Sequence, residues 1–218
     1  SCRARTGGKK PVFRFKNKLL SLDATVIDLC LNLFPWASFR QTKGAVKLHL
    51  LLDHDGYLPV FAAITDGRTH EINIARQIDL PRGSIVAVDR GYYDFELFRD
   101  WTNRGIWFVT RLKAAANYEV LENYDTPTHS DVLFDQTIRF SGPVTSRKYP
   151  GLLRRVVVWD KAAQREIELL TNHHGFGSTT IARIYRDRWE IELFFKCLKQ
   201  NLKVKTFVGT SENALKTQ

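Results

Sequence analysis

The sequence contains no methionine and only three cysteines in 218 residues. Without an initiator residue, it reads as an internal fragment of a longer protein. Cys2, Cys30 and Cys197 are scattered, with no Cys-x-x-Cys pair. So sparse and odd a set argues for a reducing compartment and against a disulfide framework. The absence of Cys/His ligand spacing argues equally against a zinc site. No apolar run approaches the ~18 residues of a membrane-spanning helix, and Ser1 to Lys10 is basic and polar, unlike a secretory signal. The expected location is therefore cytoplasmic, with no membrane partner.

Acidic residues are the minority charge: 23 against 33 lysines and arginines, a net charge of +10. That balance favours a polyanionic partner, nucleic acid first and an anionic membrane surface second, while saying nothing of fold or chemistry. With 44% hydrophobic residues, the chain is long enough for one substantial core and a small inserted lobe.

Residues 1–18 are basic (Lys9, Lys10, Arg14, Lys16, Lys18) and read as an arm or linker. Residues 19–116 then give apolar runs at Leu19–Ile27, Ala45–Asp53 and Leu58–Thr65, the last two joined across an Asp55-Gly56 hairpin signal. A helical pattern from His70 to Ile78 follows, then a buried-strand run at Ser84–Asp89. Asp94 is placed to cap a helix holding Phe95, Leu97, Phe98 and Trp101, and Ile106–Leu112 reads as a further strand. Three strands, then helix, strand, helix, strand predict an α/β fold: a ribonuclease-H-like mixed sheet flanked by helices, although periodicity alone leaves other α/β arrangements open. Residues 117–172 change character, with strand-like runs at Val132–Phe134, Thr137–Phe140, Arg155–Trp159 and Glu166–Leu170, and predict a β-rich insertion. In residues 173–218, Ser178 or Thr179 is placed to cap one long helix from Thr180 to Leu202, free of proline and glycine, that completes the core.

On that helix, Tyr185, Arg188, Glu192 and Lys199 share an arc of roughly 60° at 100° per residue. They lie beside an apolar stripe of Ile184, Ile191, Phe194, Leu198 and Leu202. A plain Arg188–Glu192 ion pair on a solvated face explains part of this pattern. Two aspartates add weight to a functional reading. Asp23 sits inside an apolar strand, where a charge is costly unless paired or bound to metal, and Asp89 ends the fourth strand, which neighbours the first in a ribonuclease-H-like sheet. Three converging carboxylates suit hard cations, Mg²⁺ or Mn²⁺, and two such ions support phosphodiester chemistry. His70 and the His173-His174 pair are less informative; His70, just before a helix, reads as a cap.

The spacing Tyr185-x₂-Arg188-x₃-Glu192-x₆-Lys199, with Leu22-Asp23-Ala24-Thr25 and Val88-Asp89-Arg90-Gly91-Tyr92, resembles the motifs of bacterial insertion-sequence transposases of the DDE, insertion-sequence-four type, over residues 19–210. The resemblance implies that Asp23, Asp89 and Glu192 are catalytic and hold two Mg²⁺ or Mn²⁺ ions, and that Tyr185, Arg188 and Lys199 contact DNA phosphates. It also implies cut-and-paste cleavage and strand transfer at transposon ends through a hairpin intermediate, a tryptophan stacked on a flipped base (Trp159 here), a DNA-bound homodimer and a nucleoid-associated protein. Arg90, Arg111 and Lys113 fall just beyond strand ends and are candidate DNA contacts. A ribonuclease-H-like nuclease without strand transfer and a non-catalytic basic DNA-binding module remain the competing readings, with a paired-carboxylate glycosidase disfavoured by the basic charge.

Overall fold

The computed structural model describes residues 13, 15–29, 38–40, 43–201 and 211. Lys9, Lys10, Arg14, Leu202 and the Lys203–Phe207 segment lie outside them.

The first half supplies β1 (Leu19–Leu29), β2 (Ser38–Arg40), β3 (Lys43–Asp53), β4 (Leu58–Asp66), α1 (Glu71–Ala75), β5 (Ile85–Val88), α2 (Phe95–Asn103) and β6 (Trp107–Arg111). The second supplies β7 (Tyr118–Asn123), β8 (Val132–Phe140), α3 (Thr145–Lys148), β9 (Leu153–Asp160), β10 (Arg165–Thr171), α4 (Ser178–Asp187) and α5 (Trp189–Asn201). All the strands join one sheet, in the order β2-β3-β1-β5-β6-β10-β9-β8-β7, with β4 also on β3. Within it, β4, β3 and β1 are antiparallel, while β1, β5 and β6 are parallel. That is the ribonuclease-H-like arrangement expected, with β1 and β5 adjacent. The β-rich segment is not a detached lobe: β10 pairs antiparallel with β6, so β7 to β10 widen the same sheet.

Alternation along the strands sorts side chains onto two faces. Leu20, Leu22, Val86, Val88 and Phe108 face α1 and α2 in the larger core cluster. Leu19, Ile85, Ala87, Val109 and Leu169 face α4. Leu50 and Leu52 receive Ile191 and Phe195 of α5. On the first face, Asp94 caps α2 by accepting from the Leu97 N–H at 2.8 Å, and the helix buries Leu97, Phe98 and Trp101. Phe98 stacks on Phe108 with ring centroids 4.3 Å apart. Each such side chain withdrawn from water contributes ~1.5–3 kcal/mol.

Several expectations change in detail. The helix expected from His70 to Ile78 is short, Glu71–Ala75, although His70 does cap it, its Nδ1 accepting from the Ile72 N–H. β7 was not foreseen because its residues are almost all exposed and carry no alternation. The runs at Val132–Phe134 and Thr137–Phe140 form one strand with a register shift near its start. The C-terminal helix is two helices broken at Arg188, and α4 starts from Gly177 with no side-chain cap. The break is a tightening: the Arg188 N–H still bonds Ile184 O, but the Ile191 N–H bonds Arg188 O, three residues back. It lets α4 and α5 serve different clusters, and it buries Phe195 rather than Phe194. Cys197 is disulfide-bonded, contrary to the expectation from cysteine spacing.

The widened part of the sheet is tied to α4 by a buried ion pair. Arg154 Nε and Nη2 donate to the two Asp135 oxygens, both at 2.7 Å, and Nη1 donates to His174 O and Phe176 O in the turn leading into α4. The two side chains are only 7% and 4% exposed. Breaking a buried pair leaves an uncompensated charge, a loss of about 3–5 kcal/mol. Arg154→Ala is therefore expected to lower unfolding free energy in urea by about that much; a loss below about 1 kcal/mol would show that the pair does not hold α4's entry.

Candidate active site

Strand register creates the site. Leu22 pairs with Val88 and Ala87 with Val109. One and two residues further on, Asp23, Asp89 and Arg111 fall in a single row across β1, β5 and β6, neighbouring strands being ~4.8 Å apart. All three share the parity of Leu19, Ile85, Ala87 and Val109, and so lie on the sheet face that α4 covers.

Each aspartate is held by its own backbone. Asp23 Oδ1 accepts from the Ala24 N–H, and Asp89 Oδ1 from the Gly91 N–H, both at 2.8 Å. This explains the glycine of the Asp89-Arg90-Gly91 run: a Cβ there would lie 3.0 Å from Asp89 Oδ1. Asp89 also caps the short 3-10 turn Arg90–Tyr92.

The α4–α5 junction descends onto this row. Arg188 is buried; its Nη1 donates to Asp23 Oδ2 at 3.3 Å and its Nη2 to Glu192 Oε1 at 2.6 Å. The helix ion pair suspected from the sequence is thus real, but the same guanidinium bridges to β1. Tyr185 lies beside it, with the Arg188 guanidinium 5.5 Å from the ring centroid. Burial alone would lower the Arg188 pKa; Tyr185, Glu192 and Asp23 more than offset it. Burial, chiefly, raises the Asp23 pKa to about 7, with Asp89 and Glu192 adding to the rise and Arg188 opposing it. Arg111 is half-buried, and its pKa is lowered by burial and then by Arg90, Arg165 and Arg188, against an opposing effect of Tyr185.

Asp23, Asp89, Glu192, Tyr185, Arg188 and Arg111 are therefore brought together, with the exposed Arg90 beside Arg111. Three expected residues are not. Lys113 turns away, its ammonium 4.8 Å from the Tyr93 ring centroid. Trp159, 37% exposed, shares the parity of Leu153 and Val157 on β9 and points to the opposite face. Lys199 is exposed near the end of α5. The sequence reading gave no role to Tyr92, whose buried hydroxyl has no hydrogen-bond partner and feels both Asp23 and Asp89, or to Arg165. Tyr92 was detectable only as the aromatic end of the Asp89 motif; nothing in the sequence singled out Arg165.

Among the described residues no set of three His, Cys, Asp or Glu side chains is gathered tightly enough to hold a metal ion. The donor chemistry nonetheless fits a hard divalent cation: three carboxylates, one of them with a burial-raised pKa, and a guanidinium supplying the counter-charge between two of them.

The raised Asp23 pKa fixes a sign for stability. Unfolded, the group titrates near 3.8; folded, near 7. The folded state holds the proton longer, so this group's contribution is full below about pH 4 and is lost as pH rises to about 7, on the order of 1.4 kcal/mol per unit crossed. His49, His54 and His173, lowered to about 4 chiefly by burial, work in the opposite direction. Subtracting the metal-free pH–stability curve of Asp23→Asn from that of the unmodified chain is expected to leave a fall between pH 4 and 7; a flat difference would contradict the assignment.

A family model described as the transposase DDE domain matches residues 14–218. A putative transposase, y4zB, of Sinorhizobium fredii is 31% identical over 201 residues, covering 90% of this chain and 56% of the relative. A probable transposase for insertion sequence element IS5377 of Geobacillus stearothermophilus is 31% identical over 209 residues, covering 94% and 54%. Transposase InsG for insertion sequence element IS4 of Escherichia coli is 24% identical over 169 residues, covering 72% and 37%. Among solved structures, a piggyBac transposase synaptic complex with hairpin DNA aligns with a TM-score of 0.48 at 12% identity, covering 83% of this chain and 40% of that one. The chain spans about half the length of the first two relatives. With the family model spanning nearly all of it, this chain belongs to the transposase DDE domain family.

Proposed function

We propose that this chain is the catalytic core of a DNA transposase that cleaves and joins phosphodiester bonds at transposon ends. The observation that carries the reading is the row of Asp23 and Asp89 on adjacent parallel strands, met by Glu192 through the shared Arg188 guanidinium. In this reading the three carboxylates hold divalent cations, two Mg²⁺ or Mn²⁺ ions. Such ions supply activation of the attacking hydroxyl and stabilisation of the leaving oxygen when bound.

The chain's own groups divide the remaining work. The Ala24 and Gly91 N–H groups fix one oxygen of each aspartate; the second Asp23 oxygen meets Arg188, and the second Asp89 oxygen is left to face the substrate. Arg188 and Tyr185 border the carboxylates, and Arg111 stands in line with the aspartates, so a phosphate there would meet a guanidinium on either side. Arg90 is proposed as an outer phosphate contact; Lys113, Lys199 and Trp159 lie off the row and are proposed only as contacts to DNA running beyond it, Trp159 as a stacking surface for a base at a hairpin stage. Residues 19–116 and 173–218 form the catalytic part and 117–172 the β-rich insertion. The proposed setting is DNA-bound, homodimeric and nucleoid-associated. No helix of the described residues is long and apolar enough to cross a membrane.

Mn²⁺-dependent cleavage of transposon-end DNA is expected to fall to background in Asp89→Ala, Asp23→Asn and Glu192→Gln. Undiminished cleavage by Asp89→Ala would remove it from the mechanism. Joined products support a transposase, nicks alone a nuclease, and no cleavage by the unmodified chain a binding module.

Arg188 yields a separate expectation, read without activity. Arg188→Ala leaves Asp23 and Glu192 without their shared counter-charge, so its melting temperature in EDTA should fall by roughly 5–15 °C, on about 3–5 kcal/mol for a broken buried pair. Mn²⁺ should raise it more than it raises the unmodified chain. An equal or smaller Mn²⁺ response would show that guanidinium and cation do not serve the same carboxylates.

A further inference from the structure

We propose that Arg165 extends the phosphate-gripping surface of this site along the β9–β10 hairpin, holding the DNA strand roughly five nucleotides from the reacting phosphate. The inference rests on the functional reading above and assigns a binding residue that reading does not contain.

The register gives the placement. Arg111 pairs with Leu169 on β10, so the row that begins at Asp23 and Asp89 continues into that strand. β10 runs beyond the end of β6, and Arg165 lies four residues past Leu169, paired with Asp160 at the tip of the hairpin. At ~3.3 Å per residue this is ~13 Å along the strand, and Leu169 lies two strands, ~10 Å, from Asp89, so Arg165 stands ~16 Å from Asp89, or roughly five nucleotides at a rise of ~3.4 Å each. The face is also set: Leu169 and Ile167 pack with the α4-side cluster, and Arg165 shares their parity. It therefore projects above the rim on the side where Asp23, Asp89 and Arg111 lie.

Charge supplies the second strand of the argument. Arg76, Arg104, Arg154, Arg155 and Arg188 are all ion-paired. Among the described residues Arg90, Arg111 and Arg165 make no ion pair, which is true also of surface arginines such as Arg139 and Arg147; what sets these three apart is that Arg90 and Arg165, from two other elements, each lie close enough to Arg111 to repel it. The nearest carboxylates on the hairpin are engaged elsewhere: Asp160 Oδ1 accepts from the Ala162 and Ala163 N–H groups, and Asp131 pairs with Lys161 at 2.7 Å. A cationic cluster around a half-buried guanidinium, whose neighbouring carboxylates Asp89 and Asp160 make no ion pair with it among the described residues, is complementary to a polyanion. Along a row that starts at paired aspartates, the anion of matching chemistry is the backbone of the strand being cut.

The test measures binding by the present chain to a fluorescein-labelled 20-base-pair duplex of arbitrary sequence, in EDTA, across a salt series. Arg165→Ala is expected to weaken binding about three- to tenfold at low salt and to reduce the slope of log K against log salt by about 0.9, one phosphate contact. Arg139→Ala, an exposed arginine two strands away on β8 and at the other end of the strands from the hairpin tip, should leave both unchanged, and Arg165→Lys should keep the slope. An Arg165→Ala slope equal to that of the unmodified chain, or an equal loss in Arg139→Ala, overturns the proposal. Because the binding series contains no metal, it is separable from catalysis. Cleavage that depends on Asp89 with binding indifferent to Arg165 sinks the track alone; binding sensitive to Arg165 with cleavage indifferent to Asp89 sinks the catalytic reading and, with it, the assignment of the row.

Discussion

One guanidinium organises the site. Arg188 bonds both Asp23, 165 residues away in sequence, and Glu192, one helical turn ahead. Two carboxylates on the inner face of a sheet are tolerable only with a cation between them, because the low dielectric that strengthens their attraction to it also strengthens their mutual repulsion. Arg188 occupies that position at the junction of α4 and α5, where the tightened turn brings its side chain down onto β1. The junction is thus an electrostatic requirement as well as a packing one: α4 covers β5, β6 and the widened sheet, α5 covers β1 and β3, and the residue between them neutralises the row below.

Much of this was legible in the sequence for identifiable reasons. Buried strands announce themselves by β-branched and apolar runs, so β1, β3, β5 and β6 were readable, and with them the adjacency of Asp23 and Asp89. Asp23 stood out because a carboxylate amid Leu22, Ala24 and Val26 is costly without a partner. The α4–α5 break was not legible, since no proline or glycine marks it; it follows from two helices seeking different clusters. β7 was hidden because an exposed edge strand has no alternation to detect. Positions depending on cross-strand register, such as Arg165, were out of reach, because register is a property of the pairing and not of either segment. The sheet face that Trp159 takes was out of reach for the same reason: parity relative to a neighbouring strand cannot be read from one strand alone.

The widened sheet changes how the β-rich segment bears on the site. A lobe tethered by loops could move independently of the catalytic row. Here β10 is hydrogen-bonded to β6 from Val109 to Arg111, and Arg154 ties β8 and β9 to the turn entering α4. Displacing the insertion would break sheet hydrogen bonds and uncover a buried ion pair, so the hairpin and the aspartates share one rigid frame.

The three acidic residues are consequently not equivalent in mobility. Asp23 and Asp89 are fixed twice, by the parallel pairing of β1 with β5 and by N–H groups of their own backbone. Glu192 is held near them by Arg188 and by a helix, α5, that lies against β1 and packs Ile191 and Phe195 on Leu50, the cross-strand partner of Asp23, and on Leu52. Any rearrangement that gathers the three carboxylates around a cation therefore costs least on the helix side: rotating a glutamate side chain and releasing a guanidinium disturbs one shared ion pair, whereas moving either aspartate disturbs the sheet. In the proposed function, the strands would set where a phosphate lies, and the α4–α5 junction would set the approach of the third carboxylate.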